Sequence, residues 1–116
     1  MTAERHPVFA KRLAQARIRA GLSQRQLGLQ AGLDPAVASP RINQYERGVH
    51  EPHLDTAQRL AKALGIPAAF LYAEDEQLAK LLLAWSDLTP SQRRELLKNA
   101  VSAVGKTNAR VRVSAE

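Results

Sequence analysis

The chain has 116 residues, 45% of them hydrophobic, so it is long enough for one compact domain with a modest core and too apolar for wholesale disorder. Seventeen Lys and Arg residues outnumber eleven Asp and Glu residues, which gives a formal net charge of +6. The absence of cysteine excludes disulfides and cysteine-ligated zinc, and it makes a reducing cytoplasm the expected location.

Helical periodicity runs along the chain, and no alternating apolar pattern of useful length predicts a strand. The first predicted helix starts at Pro7 and ends at Gly21. Later helices are predicted near three further stretches, residues 23–31, 40–47 and 54–64. A short helical turn after Pro67 completes a set of five.

The second predicted helix has clear signals at both ends. Ser23 can accept a hydrogen bond from the backbone three residues on, and the Gln26 side chain can reach back, which is the pattern of a capping box. Gly32 follows the helix, where positive φ lets the chain turn sharply without steric cost. A helix, a glycine turn and a second helix outline a helix-turn-helix.

The segment before the third helix offers two alternative starts for that helix. Asp34 before Pro35 is one cap with proline at the first helical position, and Ser39 before Pro40 is the other. The first start would give the helix an extra turn that Pro40 kinks, and the second would leave a longer loop or a single turn. We favour the second, because a proline six residues into a helix removes a hydrogen bond and clashes with the preceding turn.

Five positions carry a recognisable motif: Gln24, Gly28, Ile42, Glu46 and Gly48. They are, in order, a glutamine opening the motif, a small residue where two helices cross, a buried aliphatic residue, and the Glu-x-Gly that closes the third helix. Together they make the stretch from about Phe9 to Leu71 resemble the helix-turn-helix of the Cro and phage-repressor family, the xenobiotic-response-element (XRE) type of bacterial regulator.

The resemblance implies an all-α fold, with a five-helix, lambda-repressor-like DNA-binding module over residues 1–73. It also implies a buried ion pair between Arg17 and Glu46 that ties the first helix to the recognition helix. The chain departs from the family between Gly32 and Ile42, where it has about four residues more than the usual member. The family's residue roles therefore apply least directly at the tip of the recognition helix, which is the third helix.

A two-helix extension is predicted after the module, over residues 74–105. Three acidic residues, Glu74 to Glu76, place negative charge at the start of its first helix. Thr89 and Gln92 form a second capping box, and Gly105 is expected to close the second helix.

The two apolar stripes of this extension predict a helical hairpin that serves dimerisation, because two short helices alone make a thin core. Leu83 and Leu96 lie off the main stripes and are the candidates for the subunit interface. Packing within one chain only is the alternative. The last segment, residues 106–116, is expected to be a flexible tail.

Candidate DNA contacts lie at the start of the second helix and along the third. Ser23 and Gln24 begin a helix, where free N–H groups attract phosphate. Asn and Gln amides can pair with adenine and Arg with guanine, so Gln44 is expected to contact a base, whereas Asn43 is expected to touch phosphate. The full candidate set is Ser23, Gln24, Ser39, Arg41, Asn43, Gln44 and Arg47. His50 is a further candidate for the DNA backbone.

The basic surplus supports a polyanionic partner, because residues 1–62 carry ten Lys or Arg against five Asp or Glu. A solvated surface is the alternative explanation of this charge. Neither a membrane nor an export signal is expected: the longest apolar run, residues 81–85, is far too short to span a bilayer, and the N-terminus lacks the apolar core of a signal peptide.

An enzyme is not expected, because the sequence has no glycine-rich phosphate loop and no nucleophile elbow. Pro52 interrupts the HxxH spacing of His50 and His53, so no metal or other cofactor is predicted. We therefore predict a sequence-specific regulator that binds double-stranded DNA, as a dimeric repressor reading the major groove. The alternative is an antitoxin or other adaptor whose extension grips a protein partner and whose DNA binding is secondary.

Overall fold

The computed structural model describes residues 7–107, and the regular structure within them is entirely helical, as predicted. The α-helices are α1 (Pro7–Ala20), α2 (Gln24–Gln30), α3 (Ala38–Glu46), α4 (Leu54–Leu64), α5 (Glu76–Asp87) and α6 (Pro90–Thr107). A 3₁₀ helix, Ala68–Tyr72, lies between α4 and α5. The chain divides into two compact units between Ser86 and Asp87, with α6 in the second.

The core of the first unit is built from the apolar faces of α1 to α4, the 3₁₀ helix and one residue of α5. Its largest fully buried apolar side chains are Phe9, Leu13, Leu27, Ile42, Leu60, Phe70 and Leu71. The Phe9 ring meets Tyr45 edge-on, at 6.5 Å between ring centroids, and lies 5.5 Å from the ring of Tyr72. These contacts join the recognition helix to both ends of the module.

The predicted capping box of α2 is confirmed. The Ser23 hydroxyl accepts from the Gln26 backbone N–H at 3.0 Å, and the Gln26 side-chain oxygen accepts from the Ser23 N–H at 2.8 Å. Gly28 sits where α2 crosses α3, and a Cβ there would lie 2.7 Å from the Cβ of Ala38. A larger residue would force the two helices apart. Gly32 has the predicted positive φ, 88°.

The turn before α3 takes the second of the two predicted forms, but with a different cap. Asp34 closes a single turn: its carboxylate accepts from the Ala36 N–H at 2.8 Å, and its carbonyl accepts from the Val37 N–H at 2.9 Å. The helix then starts at Ala38 with Val37 as its N-cap, so the prediction of Ser39 as the cap is wrong. Pro40 is the third helical residue, where the N–H has no helical partner, and it therefore removes no hydrogen bond.

One face of α5 belongs to the core of the module. The Asp75 carboxylate caps this helix by accepting from the Leu78 N–H at 2.9 Å. Ala79 is buried, and Leu82 and Leu83 pack against the core. Leu83, a candidate for the subunit interface, is thus half-buried within its own unit. The hairpin of residues 74–105 remains a prediction, and the unit boundary lies thirteen residues beyond the predicted end of the module.

The second unit contains α6, which begins with the predicted capping box. Thr89 and Gln92 exchange backbone-to-side-chain hydrogen bonds at 2.9 and 3.1 Å. Gly105 does not close the helix, because α6 continues to Thr107; an interior glycine weakens a helix by about 1 kcal/mol without forcing its end. Of the predicted tail, residues 106 and 107 are helical and residues 108–116 lie outside the described part of the chain.

Candidate nucleic-acid interface

The recognition helix α3 has one face in the core, and its opposite face is exposed at Pro40 and Arg47 and half-buried at Gln44. Ala38, Ile42 and Tyr45 are its buried residues. At 3.6 residues per turn, the opposite face carries Pro40, Gln44 and Arg47, spaced i, i+4 and i+7. Gln44, the predicted base reader, therefore stands in the middle of the outward face.

An ion pair holds α3 against α1, between the residues that the family resemblance pairs. Arg17 Nε donates to Glu46 Oε2 at 2.6 Å, and its Nη2 donates to Glu46 Oε1 at 3.1 Å. The side chains are only 18% and 9% exposed, so the pair is partly desolvated. The hydrogen bonds that Arg17 donates to Glu46 raise the pKa of Arg17. Arg17 also donates to the Leu22 carbonyl at 2.9 Å, which fixes the chain just before α2.

Gln24, the first residue of α2, is turned towards α3. Its Nε2 donates to Glu46 Oε1 at 3.1 Å and to Asn43 Oδ1 at 3.3 Å. Two predicted DNA contacts, Gln24 and Asn43, are thus joined to each other and to the ion pair. This bonding orients the amide of Asn43 before any ligand is present.

The other predicted contacts are spread along the two helices. Ser23 is exposed and acts as the cap of α2, while Ser39 is half-buried in the first turn of α3. Arg41 is exposed beside the outward face, and Arg47 is exposed at the C-cap of α3. The two arginines therefore lie at opposite ends of α3.

An open groove runs along α3 beside the outward face. Arg41, Gln44 and Tyr45 form one side. The loop to α4 and the first turn of α4 form the rest, with His50, Glu51, Pro52, His53 and Thr56. Sequence reasoning did not include His53 and Thr56, which line this groove, among the candidate contacts. The signal was available, because both lie at a helix N-terminus, where N–H groups favour anions.

The face of α5 that the core leaves open carries apolar side chains. Leu78 and Leu81 are 46% and 45% exposed, and they lie on adjacent turns of one face. Leu96 in α6 is half-buried, and Leu97 is the exposed leucine of that helix. Exposure thus points to Leu78 and Leu81, rather than to Leu83, as the open apolar surface of the first unit.

Within residues 7–107, no three His, Cys, Asp or Glu side chains come together in a way that would hold a metal ion. His50, Glu51 and His53 all line the groove, but they do not form such a group. No helix in the same range is both long and apolar enough to cross a membrane.

Comparison with known proteins gives consistent matches. Residues 13–71 match the helix-turn-helix family. Uncharacterized HTH-type transcriptional regulators from two strains of Mycobacterium tuberculosis, CDC 1551 / Oshkosh and H37Rv, are each 32% identical over an 86-residue alignment that covers 67% of this chain. The match spans 59% of the length of those relatives.

A solved structure extends the similarity beyond the motif. The crystal structure of the transcriptional regulator BswR is 43% identical in sequence and superimposes with a TM-score of 0.79. The match covers 85% of this chain and 98% of that one. The fold is thus a known one, and the chain belongs to the XRE-type helix-turn-helix family of DNA-binding transcriptional regulators.

Proposed function

We propose that the protein is a sequence-specific repressor in the bacterial cytoplasm that binds double-stranded DNA as a homodimer, with α3 in the major groove. The observation that carries this proposal is the outward face of α3. Gln44 lies at its centre between Pro40 and Arg47, and the opposite face is fixed by the core and by Glu46. A rigid helix with a central amide suits recognition of base edges.

The groove beside α3 supplies the second part of the interface. Arg41 and the two histidines face the same open space as the first turn of α4. Cationic side chains and a helix N-terminus both favour phosphate, so this groove is suited to the DNA backbone next to the bases that Gln44 reads. Glu51 in the same groove opposes an anion and limits the strength of that contact.

Dimerisation is proposed because one recognition helix reaches few base pairs, and two copies double the sequence that is read. The face of α5 with Leu78 and Leu81 offers a self-complementary apolar surface for a second copy. Repression follows if a bound dimer covers DNA that the transcription machinery needs.

Selection of bound sequences from random duplex DNA tests specificity and symmetry together. We expect enrichment of two inverted half-sites at a constant separation. Enrichment of a single half-site would refute the dimer, and no enrichment would refute sequence-specific binding. A reporter with the selected site overlapping its promoter should lose expression when the protein is present; increased expression would refute repression.

Two variants test the surface for dimerisation. Leu78→Gln combined with Leu81→Gln should shift sedimentation towards monomer and weaken binding to the paired site, while binding to one half-site is kept. Ile18→Gln is the matched control, because Ile18 is 68% exposed on α1. An unchanged dimer in the double variant would exclude this surface.

A further inference from the structure

Arg12 in α1 is the charged side chain that the described part of the chain buries most deeply, at 2% exposure. Four hydrogen bonds hold it: to the Ala73 carbonyl at 2.7 Å, the Glu74 carbonyl at 3.2 Å, Gln15 Oε1 at 3.0 Å and Glu76 Oε1 at 3.3 Å. The guanidinium also lies 5.7 Å from the centroid of the Phe70 ring. A buried cation with this many partners is expensive to desolvate, so a role beyond filling space is expected.

Three of these bonds reach the segment that connects the module to α5. Only residues 73–75 separate the end of the 3₁₀ helix from the start of α5. Arg12 binds the carbonyls of the first two and then the carboxylate of Glu76, the first residue of α5. Lys11 donates to the other oxygen of Glu76 at 2.6 Å. The start of α5 is therefore attached to α1 at several points.

This attachment sets the direction in which α5 leaves the module. A guanidinium is a planar group with donors in a fixed geometry, so it holds its acceptors in one arrangement more strictly than an ammonium does. Five residues further along α1, Arg17 holds the recognition helix through Glu46. One helix thus connects the surface for dimerisation with the reading helix.

We propose that Arg12 is a positioning residue that determines which half-site separation the dimer recognises. By fixing the start of α5 to α1, it fixes the angle between the Leu78–Leu81 surface and α3. In a symmetric dimer, that angle sets the distance between the two recognition helices and hence the separation of the half-sites. This inference rests on the proposed dimer through α5.

The test is a competition among duplexes that carry two copies of the selected half-site at separations changed one base pair at a time. The wild type should prefer one separation sharply. Arg12→Met removes every hydrogen bond of the guanidinium and keeps an unbranched apolar side chain of similar reach. The preference for the best separation over its neighbours should fall by roughly tenfold, while affinity for one half-site stays the same.

Lys11→Met is the matched control, because Lys11 and Glu76 are both more than half exposed and a surface ion pair of this kind contributes little. It should keep the wild-type preference. If Arg12→Met does not fold, Arg12→Lys and Glu76→Gln are compared in the same assay, since Glu76 is exposed and its replacement leaves the core intact. The proposal is overturned if the folded Arg12→Met protein keeps a preference as sharp as that of the wild type. It is also overturned if Arg12→Lys and Glu76→Gln both keep that preference.

The assay separates this inference from the proposed function. A wild type that binds one half-site but shows no preference for any separation would refute the dimer itself. A sharp preference that survives loss of the Arg12 hydrogen bonds refutes only the positioning role. Sedimentation of each variant shows whether the dimer persists, so that a lost dimer is not mistaken for a relaxed geometry.

Discussion

Two arginines of α1, Arg12 and Arg17, each hold another helix in place, but they bond to different chemical groups. Near the C-terminal end of α1, Arg17 holds the recognition helix through a carboxylate, with two hydrogen bonds to Glu46. In the N-terminal half of α1, Arg12 holds the start of α5 mainly through backbone carbonyls, with Glu76 as its one charged partner. Arg17 remains partly exposed, whereas Arg12 is almost completely buried.

The difference indicates how each contact is specified. A carboxylate partner has to be encoded as a particular residue, so the Arg17 contact depends on Glu46. A carbonyl acceptor is present at every residue, so the Arg12 contact depends on the path of the backbone after the 3₁₀ helix. Loss of Glu46 therefore leaves a charge unpaired, while no side-chain substitution removes the two carbonyls that Arg12 binds.

The largest effect is expected for Glu46→Ala. It leaves the Arg17 guanidinium partly buried without its carboxylate, and the free energy of unfolding should fall by about 3 kcal/mol, the low end for a buried pair. Replacing both, with Arg17→Met and Glu46→Leu, should cost less, although Gln24 then loses an acceptor. Urea denaturation of the wild type, Glu46→Ala and the double variant measures this, and the single variants Arg17→Met and Glu46→Leu complete a double-mutant cycle. Strictly additive losses would place the pair in effectively aqueous surroundings.

A smaller loss, about 2 kcal/mol, is expected for Arg12→Lys, because one ammonium cannot satisfy two carbonyls, an amide and a carboxylate in their present arrangement. Arg17→Lys keeps a charge beside Glu46 and should cost less. Thermal and urea denaturation of the two single variants check the order. The reverse order would show that the Arg17 pair depends more on geometry than the Arg12 contacts do.

The distinction between contacts that depend on particular side chains and contacts that depend on the path of the backbone explains how much of the structure could be predicted from the sequence. The helices, both capping boxes and the close crossing at Gly28 depend on local residue types, and they appear as predicted. The partners of Arg12 depend on carbonyls sixty residues away along the chain, which no sequence pattern marks. The predicted start of α3 is wrong for a related reason: its N-cap, Val37, makes backbone hydrogen bonds with Asp34 and Arg41 and has no side chain that marks a cap.

On DNA, the effects of two residues on the outward face of α3, Gln44 and Arg47, can be distinguished. Gln44→Ala should lose about 1.5 kcal/mol, roughly tenfold in affinity, on the selected site and little on scrambled duplex, because it removes the proposed base contact. Arg47→Ala should weaken both duplexes alike and reduce the salt slope by about one unit, as expected for a phosphate contact. Affinities across a salt series measure both. Equal weakening of the two duplexes by Gln44→Ala would mean that another face of α3 meets the bases.

The smallest expected effect is a pH dependence confined to the α5 end of α1. Hydrogen bonds from Lys11 and Arg12 lower the pKa of Glu76 below its ordinary value of 4.5. A carboxyl whose pKa is lower in the folded state stabilises the protein above the unfolded-state pKa, and this contribution disappears as the pH falls through the folded-state pKa. The difference in unfolding free energy between the wild type and Glu76→Gln should therefore be constant near neutral pH and shrink below about pH 4.5. Because Lys11 and Glu76 are both more than half exposed, salt should reduce the difference further. A difference that stayed constant down to pH 3 would show that Arg12 holds α5 through the two carbonyls alone. The contrast with Arg17, which holds α3 through a carboxylate, would then be complete.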